Sequence, residues 1–133
     1  MSQTVGKERM IRFLPLKSLM DRGVHVAGGS DGPIIYPDWK RGVQFAVSRE
    51  TEPAGNVVNA LERIASDQAI RMFTMEGAWQ DHMEDVKGSI EPGTLADFCV
   101  LDQDLLTVEP RKIKDIKTLM TIIGGRIVFD AMK

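Results

Sequence analysis

Asp31 is the residue of this chain best placed to do chemistry. It ends the run Val24-His25-Val26-Ala27-Gly28-Gly29-Ser30-Asp31, which reads as a short buried strand over 24–28 running into a glycine-rich loop. An aspartate at the C-terminal end of a buried strand can coordinate a metal or take a proton from water. In parallel α/β architectures, functional residues gather at that end of the strands. The small residues before it let another group approach the backbone closely. A plainer structure fits the same residues: a β-hairpin turning at Asp31-Gly32, with Ile34-Ile35-Tyr36 returning as its second strand. Both readings stand on the local pattern. A phosphate loop does not, because there is no Gly-x-Gly-x-x-Gly and no helix start after the glycines.

The other reactive side chains are sparse. The sequence holds two histidines and one cysteine. His25 precedes Asp31 by six residues, so alternation puts both on one strand face, roughly 20 Å apart by the rise per residue and too distant to share a metal. His25 therefore reads as a satisfied, partly buried histidine. His82, among Asp81, Glu84 and Asp85, reads as a solvated helix end. Cys99 stands alone, which excludes an internal disulfide and a cysteine-rich zinc site and suits a reducing compartment, most simply the cytoplasm. Glu50 and Glu52 form no acid pair. Asp97 reads as a structural residue at a strand start, and Trp39, Phe45 and Phe73 as core.

Composition narrows the function classes. Hydrophobic residues are 43% and charged residues 27% of the 133, an ordinary globular balance that argues against disorder. With a net charge of −2 and a pI near 5.7, the chain shows no basic face for nucleic acid. Its longest apolar stretch, Leu119–Ile123, is too short to span a bilayer.

The elements that must position Asp31 follow from periodicity. Phe13, Leu16, Leu19 and Met20 recur at helical steps, and Gly23 suits the closing C′ position. Asp38 can cap a helix through Trp39, Val43, Ala46 and Val47. Thr51–Asn56 is a loop, Leu61 and Ile64 suggest a short helix, Ser66 caps another through Ala69, Ile70 and Phe73, and a helical turn covers Gly77–Met83. After Lys87 the pattern turns to β. Gly88-Ser89-Ile90 is extended, Glu91-Pro92-Gly93-Thr94 suits a type II turn, and Ala96–Leu101 is strand-like. Ile116–Ile123, Gly124-Gly125 and Arg126–Phe129 form a hairpin signal.

These motifs in this order resemble the C-terminal segment of metal-dependent amidohydrolases, closest to amidohydrolase family 3. Asp21-Arg22-Gly23-Val24 running into Gly29-Ser30-Asp31-Gly32-Pro33 resembles the last barrel strand. Gln68-Ala69-Ile70 through Thr74-x-x-Gly77-Ala78 resembles the helical region after it. Gly88–Asp102 and the closing Thr121–Phe129 resemble the return to a small β-domain. The resemblance covers about residues 12–130. It implies a (β/α)8 barrel holding zinc or another divalent metal, a hydrolase acting on non-peptide C–N bonds, and a metal or proton-shuttle role for the aspartate at Asp31. It also calls for a His-x-His pair, a mid-barrel lysine or glutamate, and later histidines, all upstream of this segment.

The fold expected is therefore α+β: helices around one residual barrel-type strand (24–28), then a small antiparallel β tail (88–130), not a complete (β/α)8 barrel. Residues 1–11 are expected to be a flexible N-terminus, 12–87 the mainly helical end of a barrel, and 88–133 part of a β-sandwich. One carboxylate cannot hold a catalytic zinc that needs about three protein ligands. The chain alone is thus expected to bind no cofactor and to be inactive, with Asp31 its single candidate metal ligand. The alternatives are a split hydrolase completed by a second chain and a non-enzymatic dimeric binding module. Uncovered strands point to a homo-oligomer, most simply a dimer.

Overall fold

The computed structural model describes residues 6–133. Five α-helices, two 3₁₀ helices and three strands are defined among them. The helices are α1 (Lys7–Met10), α2 (Leu16–Met20), α3 (Trp39–Ser48), α4 (Ser66–Met72) and α5 (Met75–Gln80). The strands are β1 (Phe98–Leu101), β2 (Thr118–Ile123) and β3 (Arg126–Asp130), with 3₁₀ helices at Ala60–Glu62 and Pro110–Asp115. The α+β expectation holds. Of the stretch expected to be loose, residues 1–5 lie outside the described residues, while Lys7–Met10 coil into one helical turn.

Helix α3 is the centre of the core. Asp38 caps it by accepting from the Lys40 N–H at 3.2 Å, as its position before the apolar stripe predicts. Its buried face, Val43 and Ala46, packs with Leu16, Ile64, Ala69 and Met72 and with Leu105, Ile113 and Ile116 from beyond β1. The second 3₁₀ helix seats Ile113 and Ile116 there, and Gln44 Oε1 accepts from the Lys114 N–H at 3.1 Å. The periodicity reading misses this 3₁₀ helix, because charged residues flank its one apolar position. Proline at its N-terminus was the available signal.

α3 ends at Arg49, in the left-handed region at φ 59° and fully buried. Its guanidinium donates to Val58 O (3.1 Å) and Phe13 O (2.9 Å) and lies 4.7 Å from the centre of the Phe45 ring. One amino group, Nη1, is buried without a partner. Glu62 accepts from both the backbone N–H (2.8 Å) and the hydroxyl of Ser18, joining the first 3₁₀ helix to α2. Those bonds hold the Glu62 carboxyl below the usual glutamate range.

The β tail is a three-stranded antiparallel sheet in the order β1-β2-β3. Gly124 and Gly125 both have positive φ, 55° and 77°, as a two-residue type I′ hairpin turn requires. Asp97 Oδ1 accepts from the Gly124 N–H at 2.6 Å, so the aspartate read as structural clamps that turn onto the start of β1. Gly93, at φ 104°, occupies the third place of the turn closed by Thr94 N–H to Glu91 O, in keeping with a type II turn. Gly88-Ser89-Ile90, expected to be extended, belongs to no strand.

Several expected elements change. The first helical stripe yields only Leu16–Met20, closed by Gly23 at φ 74°. Ser66 is the first residue of α4 rather than its cap, and Gln68 Oε1 accepts from the Ala65 N–H instead. The strand expected over 24–28 does not form: these residues join no ladder, and Val24 is 46% exposed. A strand exists through its neighbours, and among the described residues none lies beside this segment. It is held by Val24 N–H to Leu19 O (3.1 Å) and Gly28 N–H to Met72 O (2.8 Å), with Val26 against the core.

Candidate functional site

Gly28 leads the chain into the loop that carries Asp31, and its backbone is pinned by Phe73. A Cβ at Gly28 would stand 2.6 Å from Phe73 Cζ, and one at Gly42 would stand 2.4 Å from the same atom. The ring is thus wedged between two glycines, one before the candidate aspartate and one in α3. Neither glycine has a positive φ, so close approach rather than a turn is what each supplies.

Asp31 itself is exposed, in the left-handed region at φ 51°, a conformation aspartate tolerates better than most residues. Its carbonyl accepts from the Ile34 N–H at 2.9 Å, which closes a turn. Ile34, Ile35 and Tyr36 follow in the open and do not return as a strand, which removes the hairpin alternative.

His25 is engaged elsewhere. Its Nδ1 lies 2.7 Å from Glu76 Oε2, and its ring stacks on Trp79 with centroids 3.9 Å apart and planes 8° from parallel. Arg71 Nη2 stands 3.8 Å from the other Glu76 oxygen. The result is a small polar cluster on α4 and α5, beside a groove lined in part by Met20, Val24, Gln68 and Arg71. The side chain of His25 is about half exposed, with its ring nitrogen engaged by Glu76. Glu76 and Trp79 lie 51 and 54 positions away, and nothing local in the sequence marks them as its partners. His82 is exposed just after α5, as expected of a solvated helix end.

A hydrolytic divalent metal needs about three protein ligands around one open position. Among the described residues, no group of three or more His, Cys, Asp or Glu side chains converges in a way that could hold one. Asp31 is a single carboxylate on an exposed turn, and these residues do not by themselves fit such a metal.

Residues 1–129 match the sequence profile of the amidohydrolase family. The chain belongs to that family. Among its amidohydrolase-family relatives, YtcJ of Bacillus subtilis (strain 168) is 34% identical over 95% of this chain and 24% of its own length. The N-substituted formamide deformylase of Arthrobacter pascens is 30% identical over 90% of this chain and 22% of its own. The crystal structure of an amidohydrolase from Thermotoga maritima MSB8 shares the fold with a TM-score of 0.65 at 20% identity, covering 91% of this chain and 26% of that one. The chain thus spans about a quarter of the length of each of these proteins. No helix among the described residues is long and apolar enough to cross a membrane.

Proposed function

We propose that this chain is the closing segment of an amidohydrolase and is catalytically incomplete alone. In this reading Asp31 is the family's last-strand carboxylate, which would contact a divalent metal or its water once imidazoles from the rest of a barrel surround it. The chain's own part is to carry Asp31 on the loop that follows Gly28, with Phe73 fixing the backbone before it. The observation that carries the reading is the company Asp31 keeps. The histidine nearest to it in sequence is hydrogen-bonded to Glu76 and stacked on Trp79.

The span of the relatives favours a second form of the same reading. A region equivalent to their other three quarters, on a longer polypeptide or on a separate chain, would complete the site. The deformylase relative makes N-substituted formamides the first substrates to try. The cytoplasm is the compartment proposed, in keeping with the single cysteine.

Elemental analysis of the purified chain, paired with a formamide hydrolysis assay, tests this. The expected result is no stoichiometric zinc, manganese or iron and no turnover. About one metal per chain, lost in Asp31→Asn together with a measurable rate, would overturn it.

A further inference from the structure

The run 24–28 has no strand neighbour among the described residues, yet it leads straight into the loop of Asp31. Something other than a ladder must fix its course. Both of its ends meet the corner where α4 turns into α5. At one end, His25 Nδ1 lies 2.7 Å from Glu76 Oε2 and the ring stacks on Trp79, so two residues of α5 hold one imidazole by edge and face. A hydrogen bond alone leaves a ring free to turn about it. The indole face, 8° from parallel, removes that freedom. At the other end, the Gly28 N–H donates to Met72 O at 2.8 Å, and the Phe73 ring lies against the same glycine. The two holds are three positions apart, at most roughly 10 Å along the chain.

The corner that carries both holds is itself tied together. Thr74 donates from its N–H to Arg71 O (3.1 Å) and from its hydroxyl to Ile70 O (3.0 Å), while its carbonyl accepts from the Ala78 N–H (3.0 Å). One residue thereby bonds back into α4 and forward into α5. Arg71 Nη2, 3.8 Å from Glu76 Oε1, spans the same corner through side chains. Gly88, at φ 96°, lies close against it, where a Cβ would stand 2.8 Å from Ala78 Cβ and 3.1 Å from Met75 Cα. Side chains keep a neighbour in place when their own supports are fixed, and here they are.

We propose that His25 and Phe73 are positioning residues for Asp31. The α4–α5 corner grips the run 24–28 at both ends and so fixes where the Asp31 loop leaves the core, before any metal or further chain arrives. The grip bears on chemistry through the reading of Asp31 as the site carboxylate. The two stand or fall separately, since elemental analysis decides that carboxylate and amide exchange decides the grip.

Amide hydrogen exchange of the full chain, followed residue by residue by NMR, is the test. The Gly28 N–H is the reporter, because its bond to Met72 O lies at the end of the run away from His25. His25→Ala should speed its exchange about fivefold, the effect of removing one ordinary hydrogen bond from a local opening. It should also displace the amide signal of Asp31, six positions from the substitution. The Arg49 N–H, bonded to Phe45 O in the core, should keep its rate within about twofold. Glu76→Leu should repeat the His25→Ala result, whereas Glu76→Gln, whose amide oxygen still accepts from Nδ1–H, should leave Gly28 near the parent rate. Phe73→Leu should loosen Gly28 from the other side. If Phe73→Leu fails to fold, the half-exposed His25 and the two Glu76 variants decide the matter. An unchanged Gly28 rate in His25→Ala, a rise shared equally by Arg49, or a Glu76→Gln variant as fast as Glu76→Leu would each overturn the proposal. So would a faster Gly28 with the Asp31 signal unmoved, because the grip would then end short of the residue it is meant to place.

Discussion

The helical half and the β tail solve the burial problem in opposite ways. Every buried apolar residue among those described lies outside the three strands: Leu16, Val43, Ala46, Ile64, Ala69, Met72 and Ala78 before β1, and Leu105, Ile113 and Ile116 between β1 and β2. The strands instead leave Val100, Ile123, Ile127, Val128 and Phe129 substantially exposed. Leu101 is the strand residue that packs on the helical core. A sheet normally buries at least one face against another layer. This one is regular, with a well-formed I′ turn and a side-chain clamp, yet carries little of the core. Local sequence is therefore enough to shape the sheet, while the helices supply the packing.

That difference is broken most directly at Arg49. Arg49→Ala leaves the carbonyls of Val58 and Phe13 without their donor and opens a cavity beneath Phe45. Buried polar groups left unpaired in this way cost about 3 kcal/mol in all. Chemical denaturation should show a loss of that size. A loss below about 1 kcal/mol would mean that the buried guanidinium is not a keystone of the helical half, since ordinary surface substitutions cost no more.

A smaller loss is expected where the candidate aspartate's loop meets the core. Gly28→Ala puts a methyl group 2.6 Å from Phe73 Cζ, and Gly42 prevents the ring from retreating towards α3. Overpacking of this kind costs about 2 kcal/mol. Trimming the ring in Gly28→Ala/Phe73→Leu should recover part of it, which a thermal melt of both variants would show.

What the sequence revealed divides along the same line. The hairpin was legible because its turn chemistry is local: Gly124-Gly125 between two apolar runs leaves little choice of conformation. Helix α3 was legible because a cap and an apolar stripe coincide at Asp38–Val47. The candidate strand at 24–28 reads correctly as an apolar run, but strand formation depends on neighbours that a local pattern cannot specify. The candidate site was legible only as Asp31. The pairing of His25 with Glu76 and Trp79, and that of Ser18 with Glu62, join residues 44 to 54 positions apart. No periodicity or spacing rule reaches across such a gap.

Acid should also weaken the helical half. Glu62 is held below the ordinary glutamate value of 4.5, first by the Ser18 hydroxyl and then by its N–H, against the opposing effect of burial. Glu50 is lowered as well, by its double contact with Arg111. A carboxyl whose folded pKa is depressed adds stability that is fully present above its unfolded value and is lost as the pH falls through the folded one. The melting temperature should therefore drop as the pH falls below about 4.5. Ser18→Ala should make that drop shallower, because Glu62 then titrates nearer its ordinary value. An unchanged pH profile in Ser18→Ala would show that the hydroxyl does not set the acid response.

The smallest effect is expected on the exposed side of the comparison. Ile127→Thr keeps a β-branched side chain suited to a strand and sits at a residue that is already half exposed and outside the packed core. Its cost to the stability of the isolated chain should stay within about 0.5 kcal/mol, as for surface positions in general. The measurement belongs at dilutions where the chain is monomeric, because association would add concentration-dependent stability of its own. A loss above 1 kcal/mol in the dilute monomer would mean that the sheet does carry core energy, and that the division between a packed helical half and an open β tail is drawn in the wrong place.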